Sequence, residues 1–282
     1  MSADLDIAQL RRWIGAEEIA DDTVSASLVA RFRATIRGSD EPSETDRKAP
    51  RLIHFCLCQP AAPMEGLGDD GHPARGGFLP PVPLPRRMWA GSNILFHGDL
   101  EIGDTVRRRS TIADVVVKDG RTGKLCFVTV DHIFSVAGEA RVTDRQSIVY
   151  RALQSVTTAL ASDAAPIGKV VTQIDPSPPL LFRYSALTFN GHRIHYDAPY
   201  ATQVEGYPGL VVHGPLQATF LMQLAADIRR RVPDSFEFQS LSTLYDCDQV
   251  NLNATEHVDG SMSLWTARAD GPVAMRAEAR WT

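Results

Sequence analysis

Two short runs in the second half of this chain hold residue types that can move a proton and stabilise a negative charge. The first is the polar knot Phe189-Asn190-Gly191-His192-Arg193-Ile194-His195-Tyr196-Asp197, and the second is His213-Gly214-Pro215. An imidazole exchanges protons near neutral pH, whereas the amide of Asn190 can only orient a water or an oxygen, so His195 is the better acid or base. The competing reading is a loop in which the histidines and Asn190 serve only side-chain to backbone hydrogen bonds. In the second run Pro215 suits the first turn of a helix, and Leu216, Phe220, Leu221, Leu224, Ala225 and Ile228 follow at helical spacing. The leading amides of such a helix, Gly214 among them, lack intrahelical partners and can receive an oxygen that becomes negative during a reaction. Every helix has such an end, so this head gains meaning only beside the knot.

The elements that must hold these runs read as two similar halves. The spacing predicts helix over 5–14 and 24–37 and a short apolar helix over 49–58, then strands near 93–97, 105–118, 123–136 and 139–150. The second half predicts a helix over 215–232 and strands near 237–247, 250–258, 261–269 and 273–281. A helix followed by an antiparallel meander, twice, is an α+β arrangement. The small residues and prolines of 161–179 make the natural connector, leaving halves of 1–160 and 180–282. The first half has no counterpart of Asn190 with His195, so it is expected to supply sheet and pocket wall while the second supplies chemistry. Within the first half lies a tract from Gly76 to Gly91 with Pro80, Pro81, Pro83 and Pro85, which reads as a fixed-shape loop with Trp89 as wall or anchor. It is either a packed interdomain loop or a pocket lid.

Taken together, the runs resemble the MaoC-like, or hydratase 2, family of hot-dog enzymes. Tyr184-Ser185-Ala186 opens the family motif, His195 stands at its catalytic histidine, and Val212-His213-Gly214 matches its helix head. Asn190 stands where the family has aspartate, and His192 and Arg193 replace its usual Asn-Pro. Within the family, the run from Arg183 to Asp197, the run Glu205-Gly206-Tyr207-Pro208-Gly209-Leu210-Val211-Val212-His213-Gly214-Pro215 and the proline tract resemble the branch of mesaconyl-C4-CoA and itaconyl-CoA hydratases. The mitochondrial 3-hydroxyacyl-thioester dehydratase is a relative of that branch. The resemblance implies a double hot-dog fold, two antiparallel sheets each wrapping a central helix, and a hydro-lyase acting on a CoA thioester without a further cofactor.

In that reading Gly214 polarises the thioester carbonyl, His195 moves the proton and Asn190 places the water. Tyr184 positions the loop or an oxygen, Asp197 orients His195 or braces the turn, and His192 and His213 support. A short dicarboxylic acyl group would need an arginine with fork geometry, for which Arg183, Arg193, Arg86 and Arg87 are candidates, with Trp89 beside the substrate. Arg229, Arg230 and Arg231 either meet CoA phosphates or complement the helix end. The alternatives are a dehydratase of longer 3-hydroxyacyl chains on CoA or acyl carrier protein, a hot-dog thioesterase, and a noncatalytic acyl-CoA binding module.

Other classes are disfavoured. Cys56, Cys58, Cys126 and Cys247 form no zinc-ligand series, so no metal is expected, and Asp119-Gly120-Arg121-Thr122-Gly123 is a turn without the phosphate-loop lysine. A net charge of -5 without a basic face argues against nucleic acid. No apolar span suggests a membrane anchor, and acidic residues near the start argue against a transit peptide, so the expected location is cytoplasmic. The single expected site lies within one chain, with homodimerisation left open.

Overall fold

The computed structural model describes residues 5–36, 47–120, 123–152 and 163–282. Residue 37 of the second expected helix, residues 161 and 162 of the connector, and Arg121 and Thr122 of the expected turn lie outside these. Strands β1 (Glu17–Thr23), β2 (Arg86–Phe96), β3 (Thr105–Gly120), β4 (Gly123–Val136) and β5 (Glu139–Arg151) come from the first half. From the second come β6 (Val170–Ile174), β7 (Ser235–Ser240), β8 (Val250–Glu256), β9 (Met262–Arg268) and β10 (Val273–Arg280). They form one ten-stranded antiparallel sheet in the order β1-β3-β4-β5-β2-β7-β10-β9-β8-β6, where the sequence suggested two separate sheets. The halves are joined by hydrogen bonding between β2 and β7, from Gly91 opposite Gln239 to Leu95 opposite Ser235.

Alternation explains the strands: along β3 exposed and buried residues interchange from Thr105 to Ile112, the period-two pattern of a sheet with one covered face. That face wraps a long helix, the hot-dog arrangement. The helices are α1 (Ile7–Leu10), α2 (Ala26–Ile36), α3 (Pro178–Leu187) and α4 (Gly214–Arg229). Helix α4 is buried almost all round, from Leu216 to Met222 and again from Leu224 to Ala226. Ala218, Ala225 and Ala226 let it lie close to the strands, while Leu216 and Leu221 are 0% exposed. Each such leucine contributes on the order of 1.5–3 kcal/mol. Its two buried polar residues are satisfied: Thr266 Oγ1 donates to Gln217 Oε1 at 2.7 Å, and Thr219 Oγ1 to the Pro215 carbonyl at 2.7 Å. The helix ends on Arg230 in the left-handed region, where Arg229 pairs with Glu256 at 2.8 Å and Arg231 with Asp234 at 2.8 Å.

Several elements differ from the sequence expectation. The apolar run 49–58 forms only a single 3-10 turn, Ile53–Cys56, bounded by Leu52 and Cys58 at positive φ. The connector carries the edge strand β6, and α3 starts at Pro178, where two prolines occupy its free first turn. The strand near 237–247 stops at Ser240 because the chain turns at Leu241, whose amide bonds the Ala274 carbonyl at 2.8 Å. The proline tract packs Val82 and Leu84 into a second core with Ile112, Val128 and Tyr150. Arg75 pins it by donating to the carbonyls of Val82 and Pro85 at 3.0 and 2.6 Å. No helix is long and apolar enough to cross a membrane among the described residues.

At the seam the backbones of β2 and β7 approach so closely that a methyl group on Gly91 would collide with the Phe238 carbonyl. The β2–β5 ladder also bulges there, between Trp89 and Gly91. Gly91→Ala is therefore expected to destabilise the fold by about 1–3 kcal/mol, the range for overpacking a close contact. Urea denaturation followed by tryptophan fluorescence measures it, and an unchanged midpoint would show that the seam can relax.

Candidate active site

The polar knot and the helix head meet. Between α3 and α4 the chain makes a 3-10 turn, Arg193–His195, and the Val211 amide donates to the Ile194 carbonyl at 2.9 Å, laying the strand before the helix against the knot. His195 Nδ1 lies 2.7 Å from the Val211 carbonyl oxygen. A carbonyl can only accept, so Nδ1 carries the hydrogen and Nε2 keeps its lone pair. The His195 ring stacks on His213 at 3.7 Å and 17° between planes. His213 is itself fixed by Ser185 Oγ, 2.8 Å from its Nε2, and caps the start of α4.

Burial sets the charge state. His195 is pushed down to about 4, because a desolvated imidazolium is costly and the Val211 hydrogen bond offsets only part of that cost. His213 is held well below the usual imidazole value by burial and then by His195 and His192. His195 is therefore a neutral acceptor at pH 7.

Beside it, the Gln217 amide closes the first turn of α4 on the His213 carbonyl at 3.2 Å, which leaves the Gly214 amide ahead of the first intrahelical bond. A side chain at Gly214 would face Ser240 Oγ at 3.3 Å and the Trp89 carbonyl at 3.9 Å. Ser240 Oγ is inaccessible and unpaired. Trp89 is fixed by its own indole, which donates to Gly91 O at 3.0 Å and Ser92 Oγ at 3.1 Å and packs edge-on to Phe55 at 4.8 Å. It thus walls the helix head from the first half.

The remaining residues singled out in the sequence take definite places. Tyr184 is buried, and its hydroxyl pairs with Thr219 Oγ1 at 3.2 Å, tying α3 to α4. Asn190 Oδ1 accepts from the His192 amide at 3.0 Å, so its amide hydrogens are what it can offer a ligand. Asp197 binds the Arg193 guanidinium at 2.7 Å and accepts from the Tyr200 amide at 3.1 Å, bracing the turn rather than touching His195. Arg86 is bound to Glu205 at 3.1 Å and lies over Tyr207, and Arg193 also donates to the Asp69 carbonyl, so both are engaged in structure. Arg183 stands on the exposed face of α3. Arg87 has no carboxylate partner among the described residues; its guanidinium bonds Tyr150 and lies near enough to depress His72 and His192.

His72 and Asp70 were missed by sequence reasoning. They come from the first half's long loop, where Gly71 and Gly191 pack backbone to backbone with no room for a side chain at either. The Arg193 amide donates to the Asp70 carbonyl at 2.9 Å. His72 Nδ1 donates to Asp70 Oδ2 at 3.0 Å, and the His72 ring lies 4.1 Å from that of His192, which meets His195 edge-on at 5.4 Å. The one available signal was the Asp69-Asp70-Gly71-His72 cluster inside an otherwise apolar, proline-rich tract. Asp70, His72 and His192 are also the one group among the described residues able to offer three cation ligands. With a single carboxylate there, and with Arg87 and Arg75 adding positive charge beside His72, the local field favours an anion.

Two buried and two half-buried imidazoles in a row have a measurable consequence. His72, His192, His195 and His213 all lie below their ordinary value of 6.5, so between that value and about 4 the unfolded chain binds more protons than the folded one. Stability present above pH 6.5 is thus expected to fall as the pH drops from 6.5 towards 4, and His213→Gln is expected to flatten the slope. Urea midpoints at half-unit pH steps check this; a midpoint constant over that window would contradict it.

Comparisons with known proteins bear on the family and the fold. Residues 52–246 match the family described as hydroxyacyl-thioester dehydratase type 2. The chain is 41% identical to the mesaconyl-C(4)-CoA hydratase of Chloroflexus aurantiacus, over 94% of this chain and 95% of that protein. It is 26% identical to the mitochondrial hydroxyacyl-thioester dehydratase type 2 of Schizosaccharomyces pombe, covering 82% and 88%. Its fold superposes on a MaoC-like dehydratase of Phytophthora capsici with a TM-score of 0.72 at 14% identity, over 99% and 98% of the two chains.

Proposed function

Because this chain belongs to the hydroxyacyl-thioester dehydratase type 2 family, we propose that it adds water reversibly across the double bond of a 2-enoyl- or methylene-type CoA thioester whose acyl group carries a second, free carboxylate. The observation that carries the mechanism is the neutral, buried His195, whose Nδ1 hydrogen is committed to Val211 and whose Nε2 is left to accept. In hydration, Nε2 takes a proton from water as its oxygen bonds to the β-carbon. The π pair moves through the thioester to its oxygen, which the Gly214 amide at the head of α4 receives. Asn190 holds the water through its amide, and a proton delivered to the α-carbon completes the addition. Dehydration runs the same steps backwards.

The likeness to a mesaconyl-C(4)-CoA hydratase supports a dicarboxylic acyl group such as mesaconyl or itaconyl. Of the four arginines proposed for the free carboxylate, Arg86 and Arg193 already bind Glu205 and Asp197, and Arg183 is turned outward. Arg87, half-buried beside the histidine row and without a carboxylate partner among the described residues, is the one assigned here. In the same proposal the two halves share one site: 1–160 gives wall and loop, 161–179 connects, and 180–282 gives His195 and the helix head in a double hot-dog arrangement. One chain then suffices for catalysis, with a homodimer as the assembly to test, and a cytoplasmic location without nucleic-acid or membrane partners fits this reading.

Purified protein offered mesaconyl-C4-CoA, itaconyl-CoA and crotonyl-CoA, followed by absorbance, mass and free-thiol readout, tests the reaction. Water addition is expected on the dicarboxylic esters, lowered about 10²–10⁴-fold by His195→Ala. Arg87→Ala is expected to lower kcat/KM on them about tenfold or more, leaving crotonyl-CoA unaffected, as for loss of a charged hydrogen bond. Turnover of crotonyl-CoA alone would move the assignment to general 3-hydroxyacyl-thioester dehydratases. Thiol release would point to a thioesterase, and binding without turnover to an acyl-CoA module.

A further inference from the structure

Addition of water requires two proton transfers, one from water and one to the α-carbon, and His195 alone is poorly suited to both. Its partner is a neutral carbonyl, which does little for an imidazolium, and Asn190 cannot exchange a proton at all. The molecule nevertheless places a carboxylate-backed imidazole next to the knot. Asp70 Oδ2 accepts from His72 Nδ1 at 3.0 Å and Asp70 Oδ1 accepts from the His72 amide at 3.0 Å, so the two residues are locked to each other. The loop bearing them is locked to the knot by the Gly71–Gly191 approach and by Arg193, which donates its amide to the Asp70 carbonyl at 2.9 Å and its guanidinium to that of Asp69 at 3.1 Å. Facing the pair are His192, its ring centre 4.1 Å from that of His72, and the charges of Arg75 and Arg87, with His195 next along the row.

We propose that Asp70 and His72 form the second acid–base pair of this site, supplied across the chain by the first half in place of the carboxylate that Asn190 lacks, and that His72 Nε2 exchanges the α-carbon proton. The proposal rests on the hydratase reading above. In dehydration, His72 Nε2 takes the proton from the α-carbon and the C–H pair moves into the thioester as an enolate. The enolate then collapses to the double bond as hydroxide leaves the β-carbon with a proton from His195. In hydration His195 takes the proton from water, the imidazolium of His72 gives its Nε2 proton to the α-carbon, and Asp70 balances the charge of that imidazolium. One proton passed from His195 to His72, through solvent or His192, restores the site. No oxidant, metal or further reactant is needed.

The test uses the full-length protein with mesaconyl-C4-CoA. Asp70→Asn and His72→Gln are each expected to lower kcat about 10²-fold or more with KM within threefold, the size expected for a lost acid or base. Because burial holds His72 below its ordinary value, the wild-type hydration rate should decline as the pH rises through that lowered value, below 6.5, and this limb should be absent in His72→Gln. Enzyme-catalysed exchange of the product's α-proton with deuterated water should fall with kcat. Returning a carboxylate by Asn190→Asp in the His72→Gln background should recover at least tenfold. Leu84→Ala, which opens a cavity in the second core away from this pair, serves as the structural comparison. The proposal is overturned if active wild-type protein loses less than threefold in kcat on either substitution. It is equally overturned if the losses appear in KM and melting temperature as they do for Leu84→Ala, if Asn190→Asp gives no recovery, or if activity depends on a chelatable metal bound by these residues. A wild type that hydrates none of the thioesters removes the hydratase reading itself, and this proposal with it.

Discussion

The hydrogen bond from His195 Nδ1 to the Val211 carbonyl is the constraint on which the rest of the site depends. It fixes the tautomer, aims Nε2 away from the backbone, and does so with a partner that carries no charge. A carboxylate in that place would have raised the basicity of the ring; a carbonyl leaves burial in command, and the imidazole stays neutral. The near-parallel stack on His213 adds to this, because two rings 3.7 Å apart cannot both be protonated at small cost.

Holding that bond requires the knot and the strand before α4 to stay in register, and the sheet supplies the rigidity. Helix α4 is enclosed by β7 to β10 and by the seam with β2, so its first residues cannot drift. Its apolar burial is nearly complete, and the polar exceptions, Gln217 and Thr219, bond within the core. The seam also brings Trp89 against the helix head. The wall of the site and the head of the helix are thus set by one backbone junction, β2 on β7, made possible by Gly91.

The first half is more than a support. Its long loop is fastened at one end by Val82 and Leu84 in a second core and at the other by contact with Gly191, and between these anchors it delivers Asp70 and His72 to the knot. Residues 70 and 192 are far apart in sequence, yet their electrostatic effects on one another are direct: His72 and then His192 help hold the Asp70 carboxyl below its usual value, against the opposing effect of burial. Arg87 and Arg75 add positive charge beside His72.

Much was legible in the sequence because it is local. Pro215 and the spacing from Leu216 to Ile228 sufficed for α4, alternation sufficed for β3 to β5, and the density of polar groups from Asn190 to Asp197 marked the knot. Residue chemistry alone also separated His195, which can move a proton, from Asn190, which cannot. Other features were not local and so could not be read. The 49–58 run has the composition of a helix, but positive φ at Leu52 and Cys58 limits it to one turn, and those angles answer to packing. The four arginines were equivalent in sequence, and only the positions of Glu205 and Asp197 showed two of them to be engaged. The sequence by itself determined which groups can do acid–base chemistry and the segments of clear period, α4 and β3 to β5, since both depend on side-chain type and short-range period. Tertiary structure alone decided which partners those groups have, because the tautomer of His195, the pairing of His72 with Asp70 and the place of Arg87 beside Tyr150 and His72 are set by atoms that meet only when the sheet closes around α4.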